Sequence, residues 1–214
     1  MTIPTNNQST APQSKPNESG AVSIQGHIKI FDPVTKEVLI DKRNAIHYEN
    51  FSIALAQSIS NNDGPIGEMV FGNGGSRVDP TGIITYLTPN NVGSNAGLYN
   101  QTYYKTVDAK RRYSLDPARN FMETRHIIGT AYSDVLVSCL LDFGEPNNQS
   151  AFDTGTSSTT DYIFDELGLK SYSAAGPNEG MLLTHVIFHP VQKSLNRMIQ
   201  VDYTIRIQSI SSGI

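Results

Sequence analysis

Asp165 and Glu166 stand side by side, as a general acid and base would. Adjacent residues of a strand point to opposite faces, so this spacing predicts that they do not act as a pair. His185 and His189 are four apart, which on a helix would aim both at one metal ion. The run Thr184-His185-Val186-Ile187-Phe188-His189-Pro190 reads instead as a strand ending at proline. There the imidazoles share a face but lie roughly 13 Å apart, too far to share an ion bound at about 2.1 Å. Gly72-Asn73-Gly74-Gly75-Ser76-Arg77 follows a strand, as a phosphate cradle does. Arg77 occupies the place of the third glycine of a dinucleotide fingerprint, no Lys-Ser/Thr follows, and Asp79-Pro80-Thr81-Gly82 makes another turn instead of a helix. The cluster therefore predicts a tight loop that needs positive φ. Asp153 to Asp161 bracket a Gly/Ser/Thr loop without the alternating acids of a calcium loop. His27, His47 and His126 are isolated, and no Gly-x-Ser-x-Gly elbow offers them a nucleophile. Cys139 is the only cysteine, which excludes an intrachain disulfide and predicts a small buried hydrophobe. These positions predict no catalytic residue, no cofactor and no metal: a protein that is not an enzyme.

Binding is the remaining class. Lys105, Lys110, Arg111, Arg112, Arg119 and Arg125 make a basic stretch interleaved with Tyr103, Tyr104 and Tyr113. Asp108, Asp116 and Glu123 dilute it, so a solvated loop is the reading preferred over a contact for an acidic surface. The net charge of −4 argues against bulk electrostatic binding of nucleic acid. No run approaches the ~18 apolar residues of a membrane span.

The elements that would position these groups are short strands. Apolar residues are 38% and charged residues 17%, and the balance goes to turn formers, including 17 Gly. Residues 1–21 stand apart as an arm: Ile3 is nearly alone among Pro4, Pro12, Pro16 and polar neighbours. Such a segment buries too little surface to offset its ordering entropy, and it is expected to order only against a partner. A single β-rich domain over 22–214 follows. Val22, Ile24, Ile28 and Ile30 alternate into a turn at Asp32–Lys36, and Val38 and Ile40 return as a hairpin. A helix is expected over about 46–60, capped by Asn44, with Tyr48, Phe51, Leu55 and Ile59 on its buried face. Further strands are expected at 68–71, 83–87, 103–107, 123–128, 134–143, 162–169, 182–188 and 199–208. Leu136, Val137, Leu140, Val201, Tyr203 and Ile205 should be buried together. The connections 88–102 and 144–161 are long enough to be functional or ordered by a partner. The pattern predicts an antiparallel β-sandwich, jelly-roll-like, with one amphipathic helix and the extended arm.

Three stretches carry a resemblance. Phe164-Asp165-Glu166-Leu167-Gly168-Leu169 precedes Phe188-His189-Pro190-Val191-Gln192-Lys193 and the strand Val201-Asp202-Tyr203-Thr204. This is similar to a C-terminal module of virion proteins of contractile-tailed bacteriophages, and Gly26–Asp32 through Asn44–Asn50 looks like the start of the same proteins. The resemblance covers most of residues 26–208 and implies a structural subunit of the virion, synthesised in the host cytoplasm and without catalytic residues. It leaves open the neck or collar, tail, baseplate, fibre attachment and capsid decoration. Its partners would be other copies of itself and other virion proteins, with no nucleic acid and no membrane. Ile3, Pro4, Pro12, Pro16, Tyr99, Tyr103, Tyr104, Arg111, Arg112 and Tyr113 are the candidate contact residues. A receptor- or glycan-binding sandwich is the alternative, and a polysaccharide hydrolase a more distant one.

Overall fold

Alternation dictates strands, and the computed structural model has eleven of them and one helix among the described residues. It describes residues 20–60, 64–93, 95–107, 119–146 and 161–211. The elements run β1 (Gly20–Phe31), β2 (Val38–Ile46), α1 (Tyr48–Ile59), β3 (Ile66–Gly72), β4 (Ser76–Val78), β5 (Ile84–Tyr86) and β6 (Gln101–Thr106). They continue with β7 (Phe121–His126), β8 (Tyr132–Leu141), β9 (Asp161–Ser171), β10 (Leu182–Ser194) and β11 (Ile199–Ser211). Nine strands form one curled antiparallel sheet in the order β6-β3-β9-β10-β2-β1-β11-β8-β7, and β4 and β5 pair separately.

The sheet closes on itself as a sandwich because β2 belongs to both layers. Residues Val38–Asn44 pair with β1, whereas Ala45 and Ile46 pair with β10. At that corner Asn44 lies directly over Gly26: a Cβ there would sit 1.7 Å from the Asn44 Oδ1. Glycine is required there by close approach. The Asn44 amide donates to the Ala45 carbonyl at 3.0 Å and to the Tyr203 hydroxyl.

The inward faces of both layers meet in one core. Ile28, Ile30, Val137, Cys139, Leu141, Val201, Tyr203 and Ile205 come from one layer, and Met69, Phe71, Phe164, Leu167, Leu169, Val186 and Phe188 from the other. Phe164 anchors the second set, its ring edge-on to those of Phe71 and Phe188 with centroids 5.6 and 5.7 Å away. All six residues expected in the core are buried, but Leu136 and Leu140 lie outside this cluster. They oppose Thr204 and Gln200 in the register, on the other face of β8. Cys139 is fully buried, and burial pushes its thiol up to about 12.

Three expectations need correction. The cap of α1 is His47, whose Nδ1 accepts the Asn50 N–H at 3.2 Å; Asn44 is occupied at the corner. The buried face of α1 is Asn50, Phe51 and Ala54, while Tyr48 is 66% and Ile59 79% exposed. Asn50 takes a core position because its amide donates to the Leu182 carbonyl at 2.8 Å, which turns the stripe by one residue. Gly20 and Ala21, placed in the arm on composition, pair with Ser211 and Ile210 as the start of β1. The rest of the arm, with Ile3, Pro4, Pro12 and Pro16, lies outside the described residues. No helix among those described is long and apolar enough to cross a membrane.

Candidate functional site

The acids dismissed as a pair act on one object. Glu166 is fully buried and Asp165 nearly so, at 0% and 3% exposure. The β9–β10 register shifts between Ile187 and Val191, opposite Asp165, and strict alternation fails there. The glycine turn after β3 then passes tightly over β9. Asp165 accepts the N–H groups of Gly75 at 2.9 Å and Ser76 at 2.7 Å, and also the Ser76 hydroxyl. Glu166 Oε1 accepts the N–H of Gly74 at 3.0 Å and of Asn100 at 2.8 Å. Its Oε2 accepts the Tyr99 N–H at 2.9 Å and His185 Nε2 at 3.0 Å.

His185 is also fully buried, and its Nδ1 accepts the Asn90 N–H at 2.8 Å. An acceptor Nδ1 fixes the proton on Nε2, where it is donated to Glu166. The carboxylate thus receives four donors and has no lone pair to spare. Burial alone would raise its pKa, but the bonds from His185, Asn100, Tyr99 and Gly74 outweigh it and hold the group below its usual range. His47 repeats the device: its Nδ1 caps α1 and its Nε2 donates to the Gly93 carbonyl at 2.9 Å.

Together these groups fasten the connection between β5 and β6 at Asn90, Gly93, Tyr99 and Asn100. The described part of that connection is held by the protein's own buried polar groups. The reason for the glycines also differs from expectation. Gly72, Gly74 and Gly75 are not among the positive-φ residues. A Cβ on Gly72 would come within 2.4 Å of the Asn100 carbonyl oxygen and 2.6 Å of Glu166 Oε1. Close backbone approach to a carboxylate, as in a phosphate cradle, is the shared physics; here the anion is built in.

A second buried ionic group closes the opposite edge of the sandwich. Lys105 on β6 donates to Glu145 at 2.5 Å and to the Leu140 carbonyl at 2.7 Å, tying β6 to the end of β8. Glu145 also accepts the Asp142 N–H at 2.7 Å. Lys193 on β10 is fully buried, and desolvation lowers its pKa to about 8, against the attraction of Glu145 and Asp142. In the unfolded chain this amine stays protonated to a higher pH than in the folded one. Between about pH 8 and its ordinary value the folded state binds fewer protons, so this group makes stability rise with pH. Lys193→Met is expected to melt above wild type at pH 7, with the gap narrowing by pH 10. Thermal melts at both values check this.

The other candidates scatter. Tyr103 and Tyr104 lie in β6, the first buried at 5% exposure and the second half-buried, and of the three tyrosines only Tyr99, in the loop before it, is more than a third exposed. Arg111, Arg112, Tyr113 and the loop from Asp153 lie outside the described residues. Arg119 pairs with Asp142 at 2.7 Å, and Arg125 with Glu123, so the described part of the basic stretch is neutralised locally. His189 is exposed and contacts the Tyr86 hydroxyl at 3.1 Å, so the bulge in β10 parts it from buried His185. No group of three or more His, Cys, Asp or Glu side chains among the described residues could hold a metal. A concavity of about 560 Å³ lined by Asn90, Val92, Asn95, Leu98 and Tyr99 is an open dish, with no acid or base among the described residues that line it. The Tyr99 hydroxyl is already donated to the Thr88 carbonyl at 2.7 Å. No family model, curated protein or solved structure matches the chain.

Proposed function

We propose that this chain is a non-enzymatic structural subunit of a phage virion, assembling with copies of itself and other virion proteins at the neck, tail or fibre-attachment region. One observation carries the reading furthest. The buried ionisable groups that look chemical are consumed in holding the chain's own backbone, while large apolar side chains stand in solvent at its extremities. Ile128 in the β7–β8 turn is 94% exposed, Val92 in the β5–β6 connection 81%, and Ile59 at the end of α1 79%. Rigid loops with apolar tips suit a surface completed by neighbours. The resemblance in residues 164–204 supports the virion in particular. The receptor- or glycan-binding alternative is weakened because Tyr103 is buried and Tyr104 half-buried.

The experiment is mass spectrometry of purified particles from a culture that expresses the chain from its own genome. The expected result is a fixed stoichiometric band of this chain in the particle fraction. Its confinement to the soluble lysate would end the virion reading.

A further inference from the structure

The corner made by β2 leaves an edge open. β1 pairs with β11 along its whole length, from Gly20↔Ser211 to Phe31↔Gln200, but with β2 only from Gly26 onward. Once β2 crosses to β10, Gly20–Gln25 have a neighbour on one side alone among the described residues. The strand is correspondingly exposed, with Val22 at 57%. A groove of about 200 Å³ lies where this edge meets the corner, lined by Ile24, Gln25, Ile46, Tyr48, Asn91 and Arg43. It is smaller than a typical small-molecule pocket. An unpaired strand edge beside a groove takes an extended peptide, through main-chain hydrogen bonds.

We propose that this edge receives residues 5–11 of a second copy of the chain as an added strand. The inference rests on the assembly role proposed above and names its contact. Proline cannot donate to a ladder, and Pro4, Pro12 and Pro16 divide the arm. Thr5–Ala11 is the proline-free run that matches the open edge Gly20–Gln25 in length. The arm of the same chain fits poorly. A tight hairpin back from Gly20 would place Pro16 and Pro12 in the ladder opposite Ala21 and Gln25. Residues 1–19, extended, reach roughly 65 Å, enough to leave one subunit and cross to the next. Each copy then offers one arm and one edge, the head-to-tail arrangement that builds rings.

The test uses full-length chains, in which Cys139 is buried and silent toward thiol reagents. One chain carries Gln8→Cys and the other Val22→Cys, and the mixture is treated with a short bismaleimide. The expected product is a covalent heterodimer, absent when the second cysteine replaces Val34, 66% exposed in the β1–β2 turn. Adding Asn7→Pro to the first chain should lower the apparent association constant roughly tenfold by deleting ladder bonds. Equal crosslinking to the Val34 position would overturn the site. Crosslinking only within a chain carrying both cysteines would overturn the second copy. Particles that contain the chain but yield no crosslink would overturn this contact and leave the assembly role standing.

Discussion

Glu166→Gln is expected to lower the melting temperature by about 6–12 °C, the result of losing on the order of 3 kcal/mol in a domain of this size. The amide keeps the shape and removes the charge. Each carboxylate oxygen of Glu166 now accepts two N–H groups. Whichever way the amide turns, its NH₂ faces two donors with nothing to accept, in a site without solvent exposure. The acid sensitivity of the protein should change as well. Glu166 titrates lower in the folded state than in the unfolded chain, so its contribution is complete above the unfolded value. It is lost as pH falls through the folded one. In the Gln variant that acid-side decline should be shallower. Thermal melts from pH 7 down to the acid limit read both effects, and an unchanged melting temperature at pH 7 would remove the centre from the stability of the fold.

Val201→Asp is expected to abolish folding outright. Val201 is fully buried, flanked by Ile30 of β1 and Cys139 of β8 in the register. An unpaired carboxylate there costs several kcal/mol against a total stability of about 5–15 kcal/mol. Far-UV circular dichroism on the variant should show no cooperative transition, and a melt like the wild type would refute the packing of β11 against the opposite layer.

How much of this was legible in the chain depended on period. Val201, Tyr203, Ile205 and Ile207 alternate cleanly, and the strand they predict is the middle of β11. The apolar run expected as a strand at 134–143 is likewise most of β8 (Tyr132–Leu141). The helix face was misread because two polar residues took core positions through hydrogen bonds: Asn50 to a β10 carbonyl, His47 as cap and loop clamp. Apolar spacing carries no trace of such bonds. The acid–imidazole centre was hidden for a related reason. Its parts come from the glycine turn, Asn90, Tyr99, Asn100, Glu166 and His185, which only the sheet order brings together. Asp165 and Glu166 take neighbouring N–H groups of one turn without sharing a donor. The signal that could have found it was the coincidence of two adjacent acids with a glycine-rich turn, whose N–H groups need acceptors once buried.

The pairing of β1 with β11 also sets a schedule. During synthesis β1 emerges roughly 170 residues before β11 begins. At ribosomal speeds that is an interval on the order of 10–30 s in which a strand with three inward isoleucine side chains waits for its long-range neighbour. β2 can shield one side early, through a short hairpin. The other side must stay unpaired until nearly the whole chain exists. Folding of this kind is slow and dominated by distant contacts, and its vulnerable species is a nascent chain with a bare apolar strand near its beginning.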